Sequence, residues 1–281
     1  MRYFAKISAL LLSILIIFTS LSACKKDGKS TKDDVLTWAC GATSQDKVTA
    51  EFQEGMLNIR GKGKIADYEN AEKTPWSKYA KKIKQVFIDD YVYCIGKNAF
   101  AGLGKNEDGI EVFFGNGIET IGESAFEGTR FSEYTRLDLP TTVTEIRSRA
   151  FSKCEVKSVG FLAQPKTIAE DIFKDTKTTV YALSGSFSDD AKLQYGGTLE
   201  YKLLYSLYIK EDYGTDEVSG EGTVYVPEGE EYTQETLPAD EEYVFTSWEI
   251  ISGEISIEPT NPDFEVTLSG NVSLIAHFNK K

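Results

Sequence analysis

The hexapeptide "IGESAF" (residues 121–126) is one of four related copies, with "IGKNAF" at 95–100, "IRSRAF" at 146–151 and "IAEDIF" at 168–173. Working outward from the first Ile of each copy, the same offsets carry the same chemistry. Nine residues upstream stand Val86, Val112, Leu137 and Val159; seven upstream stand Ile88, Phe114, Leu139 and Phe161. Three upstream come Val92, Ile118, Val143 and, breaking the pattern, Pro165. The first two of these positions alternate with a polar or variable residue, the pattern of a short strand with one buried face. Successive copies lie 26, 25 and 22 residues apart, yet the spacing from strand to hexapeptide never changes. All the variation falls between the closing Phe and the next strand. A fixed half and an elastic half in each unit is what a solenoid produces, with insertions confined to one surface. One unit cannot bury its apolar side alone, so stacked neighbours supply the core.

The unit resembles the BspA-like class of leucine-rich repeat, which reads approximately Ile-Gly-x-x-Ala-Phe-x-x-Cys, then a strand ending in Pro, then Val-x-x. Here "IGESAF" and "LDLPTTVTEI" (137–146) match closely, and "AFSKC" (150–154) places Cys154 at the interior Cys position of that class. The resemblance covers roughly residues 83–185, with Ile172 in place of the small Ala and Arg147 in place of the Gly. It implies a mainly β protein built on a short solenoid. Residues 35–82 are expected to form an N-terminal β cap, because an uncovered terminal repeat exposes core. In that segment "MLNIRGKG" (56–63) alternates as a strand into a Gly turn, and Trp76 is placed to plug the open end. Downstream, "TTVYALSGS" (178–186) resembles the closing strand of the array, and 186–204 reads as a closing segment or linker.

Charge divides the rest of the chain. The whole carries −13, which argues against nucleic acid as a partner. Residues 205–281 hold 17 Asp/Glu against 3 Lys/Arg, whereas 24–204 hold 27 acidic and 26 basic residues. Such a step marks a module boundary near Leu204. The acidic stretch reads as short alternating strands between turns, a small all-β module. It resembles divergent internalin-type B-repeats, a β-grasp-like family, through Tyr243, Phe245 and Trp248 mid-module and a closing strand that points Val272, Leu274, Ala276 and Phe278 one way. The resemblance implies that these aromatics are core. The carboxylates include no D-x-[DN]-x-[DN]-G calcium loop.

At the other end, Arg2 and Lys6 precede the apolar run "ISALLLSILIIF" (7–18), too short to span a bilayer. It ends in "LSAC" (21–24), which resembles the lipobox of bacterial lipoproteins. That implies a signal peptide over 1–23, cleavage after Ala23, and diacylglycerol and palmitate attachment at Cys24. Membrane lipid is then a partner, and the localisation is the cell envelope, at the outer membrane or cell surface. The polar stretch 24–34 follows as a flexible tether.

Chemistry is hard to find. His277 is the single His, so an HExxH zinc site is impossible and a lone strand His is usually structural. Cys40, Cys94 and Cys154 remain after Cys24; an odd count fits neither a complete disulfide framework nor a zinc spacing, leaving one bridge plus a thiol, or three thiols. No cofactor or metal is expected, and no enzymatic activity. The residues opposite the buried strand positions are Phe87, Phe113, Asp138 and Gly160. Equivalent residues on parallel strands about 4.8 Å apart form a ladder. Phe87 and Phe113 should therefore stack, with Asp138 next, as a candidate site for a sugar or a peptide side chain. The expectation is a lipid-anchored surface protein that binds a host or cell-surface protein or glycan. The alternatives are a carbohydrate-active or other hydrolytic envelope lipoprotein, and a purely structural envelope component.

Overall fold

The hexapeptide turns are built on left-handed backbone. Its fourth residue takes positive φ at Asn98 (55°), Ser124 (52°) and Arg149 (56°). So does the second residue after the closing Phe: Gly102 (69°), Gly128 (70°), Lys153 (54°) and Asp175 (57°). The tight turn drives the intervening small residue and the Phe inward. Ala99, Ala125, Ala150 and Ile172 are fully buried, as are Phe100, Phe126, Phe151 and Phe173. The Phe rings stack with centroids 5.4, 5.4 and 5.7 Å apart. Trp76 extends the same stack, 5.7 Å from Phe100, and its indole N–H donates to the Ala99 carbonyl at 3.0 Å.

The structure is a computed structural model that describes residues 35–183, 195–214, 221–234 and 242–281. Three antiparallel strands begin it: β1 (Leu36–Ala39), β2 (Lys47–Gln53) and β3 (Met56–Lys64). Two 3-10 turns, Ala71–Lys73 and Ser77–Tyr79, then carry Trp76 inward. Each solenoid turn adds one strand to each of two rows. The turns supply β4 (Gln85–Ile88) and β5 (Val92–Ile95), β6 (Glu111–Phe113) and β7 (Thr120–Ile121), β8 (Leu137–Leu139) and β9 (Glu145–Ile146), and β10 (Ser158–Phe161) and β11 (Thr167–Ile168). Within each row the pairing is parallel and in the register expected from the repeat: Val86 meets Val112, Ile121 meets Ile146, and Val159 meets Leu137. The architecture is a mainly β solenoid.

The cap joins both rows through one strand. Residues 56–59 of β3 pair with β4, and its end pairs with β5. The strand turns this corner at Gly61 and Gly63, both at positive φ, and a Cβ on Gly61 would lie 1.9 Å from the Lys47 carbonyl oxygen. The glycines bend the strand rather than end it.

One row is interrupted. Among the described residues β6 pairs only with β4, and β8 pairs only with β10. Where they would meet, the connector after Phe126 bridges instead, with Phe131 against Ile110 and Arg130 against Glu155. Val112 and Phe114, beside the break, are only partly buried, whereas their counterparts Val86, Ile88, Leu137 and Leu139 are buried. Pro165, out of pattern in sequence, still occupies a buried position.

Polar atoms inside the column are satisfied from turn to turn. Thr129 Oγ1 donates to the Phe100 carbonyl at 2.7 Å, Cys154 Sγ to Phe126 at 3.0 Å, and Thr176 Oγ1 to Phe151 at 2.7 Å. The interior Cys is thus one rung of a hydroxyl-or-thiol ladder, and burial pushes its thiol up to about 12. Cys40, Cys94 and Cys154 are all free thiols.

β12 (Lys177–Leu183) closes the repeats and pairs in parallel with β13 (Thr198–Asp212) over residues 198–204. β13 then runs on without a break into the acidic segment. There it pairs with β14 (Glu221–Pro227) and, last in chain order, with β18 (Val272–Lys280). Between these lie β15 (Glu231–Gln234), β16 (Tyr243–Ser252) and β17 (Phe264–Thr267); β16 flanks β18, and β15 pairs with β17. A second hydrophobic core begins at Tyr205 and gathers Trp248, Phe264 and the inward Val272, Leu274, Ala276 and Phe278. Trp248 is 6% exposed and its N–H donates to the Asn261 carbonyl at 2.9 Å. No helix among the described residues is long and apolar enough to cross a membrane.

Candidate binding face

The solenoid row containing β4 and β6 turns alternate residues outward. Because β3, β4 and β6 pair in register, Asn58, Phe87 and Phe113 stand side by side, and two residues earlier Met56, Gln85 and Glu111 do the same. Phe87 and Phe113 stack with centroids 4.6 Å apart and planes within 8°, both half-buried. Gln85 Nε2 donates to Glu111 Oε2 at 2.8 Å, which holds its amide in one orientation. At the Met56, Gln85 and Glu111 row of this floor opens a cleft of about 380 Å³, lined also by Glu54, Gly55, Lys84, Asp108, Gly109, Ser132 and Tyr134. Tyr134 is 73% exposed.

Asp138 does not join this group. It lies across the break, on β8, and its carboxylate accepts from Arg136 through both Nε and Nη2, the latter at 2.9 Å. The ion pair lies over Gly160: a Cβ there would fall 2.0 Å from Asp138 Oδ1. The Arg136 guanidinium packs against the Tyr181 ring at 5.4 Å and reaches the Tyr225 carbonyl of β14 at 3.4 Å. Burial, and then the Asp138 charge, raise the Tyr225 hydroxyl above its ordinary value. The strand face is therefore occupied over β8 and β10 by an ion pair and the acidic module, and open over β3, β4 and β6. The sequence reading missed Gln85, Glu111 and Tyr134; the outward spacing two residues before each Phe would have found the first two.

Elsewhere the site inventory is bare. His277 sits between two carboxylates, with Nδ1 3.1 Å from Asp212 and Nε2 2.8 Å from Glu249, a clasp across β13, β18 and β16. Among the described residues no group of three or more His, Cys, Asp or Glu side chains could hold a metal ion. Ala23 and Cys24 lie outside the described residues.

A family model described as BspA type leucine rich repeat region matches residues 77–188 in six copies. The class of the central region is thereby a leucine-rich repeat scaffold. A leucine-rich repeat protein from Eubacterium ventriosum, known from a crystal structure, is similar at 17% identity and a TM-score of 0.44 over 60% of this chain. This chain spans 44% of that protein's length. No curated protein matches.

Proposed function

We propose that the chain is a lipid-anchored surface protein that works by binding, with the open strand face around Phe87 and Phe113 as its contact surface. The observation that carries the reading is the pair of stacked, half-exposed aromatics beside a cleft, on a repeat scaffold whose strand face over β8 and β10 is taken up by the Arg136–Asp138 ion pair. Exposed aromatic area on a rigid sheet is the kind of surface that marks interaction sites. The "LSAC" segment supports attachment through Cys24 after cleavage at Ala23, with residues 24–34 as tether and the cell surface as location. Several acyl chains anchor firmly, since each buried CH₂ adds roughly 0.8 kcal/mol. The acidic module resembles a B-repeat and serves in this reading as a spacer or second contact domain.

The test is adhesion of cells carrying the wild-type chain, the Phe87→Ser/Phe113→Ser double variant, or Cys24→Ala. The double variant should adhere more than about tenfold more weakly, a loss of about 1.4 kcal/mol, with a melting temperature lowered only slightly by the loss of the half-buried stacked pair. Cys24→Ala should lose palmitate labelling and surface display. Undiminished labelling in Cys24→Ala would sink the anchor; unchanged adhesion in the double variant would sink the contact surface.

A further inference from the structure

The geometry points to a neutral saccharide as the ligand of this face, an inference that rests on the binding reading above. Three properties of the site select it.

The first is shape. Two rows of outward residues on three adjacent strands make a floor of about 7 by 10 Å, from the rise per residue and the strand spacing. That is the footprint of one or two sugar rings. Among the described residues no strand pairs with β6 on the side away from β4, and Tyr134 of the connector after Phe126 lines the cleft there. The apolar C–H face of a pyranose in the cleft can lie against the exposed Tyr134 ring, beside the Phe87–Phe113 pair.

Hydrogen-bonding capacity is the second property. Sugar hydroxyls both donate and accept, and the cleft offers both partners at close range. Glu54, Asp108 and Glu111 are acceptors, Lys84 is a donor, and Gln85 supplies a carbonyl oxygen on an amide already oriented by Glu111. A preoriented amide loses less side-chain freedom on binding.

Charge is the third. Three carboxylates against one ammonium repel uronates, sialylated and sulfated sugars, so acidic saccharides are excluded. A peptide fits less well. Strand addition needs a longer open edge than the three residues of β6.

The experiment places detergent-solubilised full-length protein on a printed array of short neutral, sialylated and sulfated oligosaccharides, and pans the same protein against a random peptide library. Two variants accompany it: Phe113→Ser, and Tyr134→Ala, whose exposed ring can be removed without opening the core. The expected result is binding to neutral saccharides, weakened about tenfold or more by both variants and absent for acidic sugars. Saccharide binding that neither variant changes would move the site elsewhere and overturn the inference. A preference for acidic sugars would overturn it equally. Peptide binding that is lost in the variants, with no saccharide bound, would overturn the saccharide and leave the contact surface standing. No binding of either kind would sink both readings.

Discussion

Phe126 is fully buried, with Phe100 and Phe151 stacked 5.4 Å away on either side. Truncation there opens a cavity that two neighbouring turns share and neither can collapse into. Phe126→Ala should cost about 3–5 kcal/mol in chemical denaturation, and a loss under about 1 kcal/mol would be that of a surface site. Thr129 poses a subtler question, since its hydroxyl is the donor to the Phe100 carbonyl. Thr129→Val keeps the shape and leaves that carbonyl unpaired in the interior, so a loss of about 1–3 kcal/mol is expected. Thr129→Cys should recover part of it, because Cys154 makes the same bond one turn later. An unaffected melting curve in Thr129→Val would show the bond to be idle. The Phe stack was legible in the sequence because an interior slot of fixed size admits one residue type, repeated at one offset. The hydroxyl ladder was half legible: Cys154 stood out by resemblance, while Thr129 and Thr176 share its offset, three past the Phe, without sharing its identity.

At the scale of elements, neighbouring turns are tied on their outer surface by charges as well as by strands. Glu123 accepts from Lys97 of the preceding turn at 3.0 Å and from Arg149 of the following turn at 2.9 Å. These two partners, Lys97 first, hold its carboxyl below the usual value of 4.5. Arg147 does the same for Glu145. A carboxyl whose value is lower folded than unfolded contributes stability that is complete above the unfolded value and lost as pH falls through the folded one. The melting temperature should therefore stay level from neutral pH to about 5 and drop below 4.5. The Glu123→Gln variant should show a smaller drop between pH 7 and pH 3 than the wild type. An identical drop would mean that the exposed pairs contribute nothing, as many surface pairs do. The strands themselves were readable from period-two alternation. The break between β6 and β8 was not, because it depends on how the connector after Phe126 packs, and no local pattern encodes that. The same break removes Asp138 from the aromatic pair, so the expected ladder holds for Phe87 and Phe113 and stops there.

For the molecule as a whole, the step in charge near Leu204 falls where β13 changes partners. Its first half pairs with β12 up to Leu204, and from there its partners are β14 and β18. The two hydrophobic cores divide at the same place, Tyr201 packing against one and Tyr205 belonging to the other. The strand is continuous all the same, and Arg136 reaches across to the Tyr225 carbonyl. Composition could locate the change of environment, but not that a single strand would carry the chain through it. The energetics follow from this arrangement. A fragment of residues 205–281 keeps the pairing of β13 with β14 from Tyr205 onward, all its pairing with β18, and the core around Trp248. It loses the Arg136 contact, the pairing of Leu204 with Pro227 and the bond from the Glu228 N–H to the Leu203 carbonyl. At this size a domain buries just enough surface to fold alone. The fragment should give a dispersed amide spectrum and a single cooperative melt, at a lower temperature than the corresponding transition of the full chain. Without dispersion or a cooperative melt, the solenoid would have to be acting as a template for β13, and the acidic segment would be an extension of the repeat column rather than a module of its own.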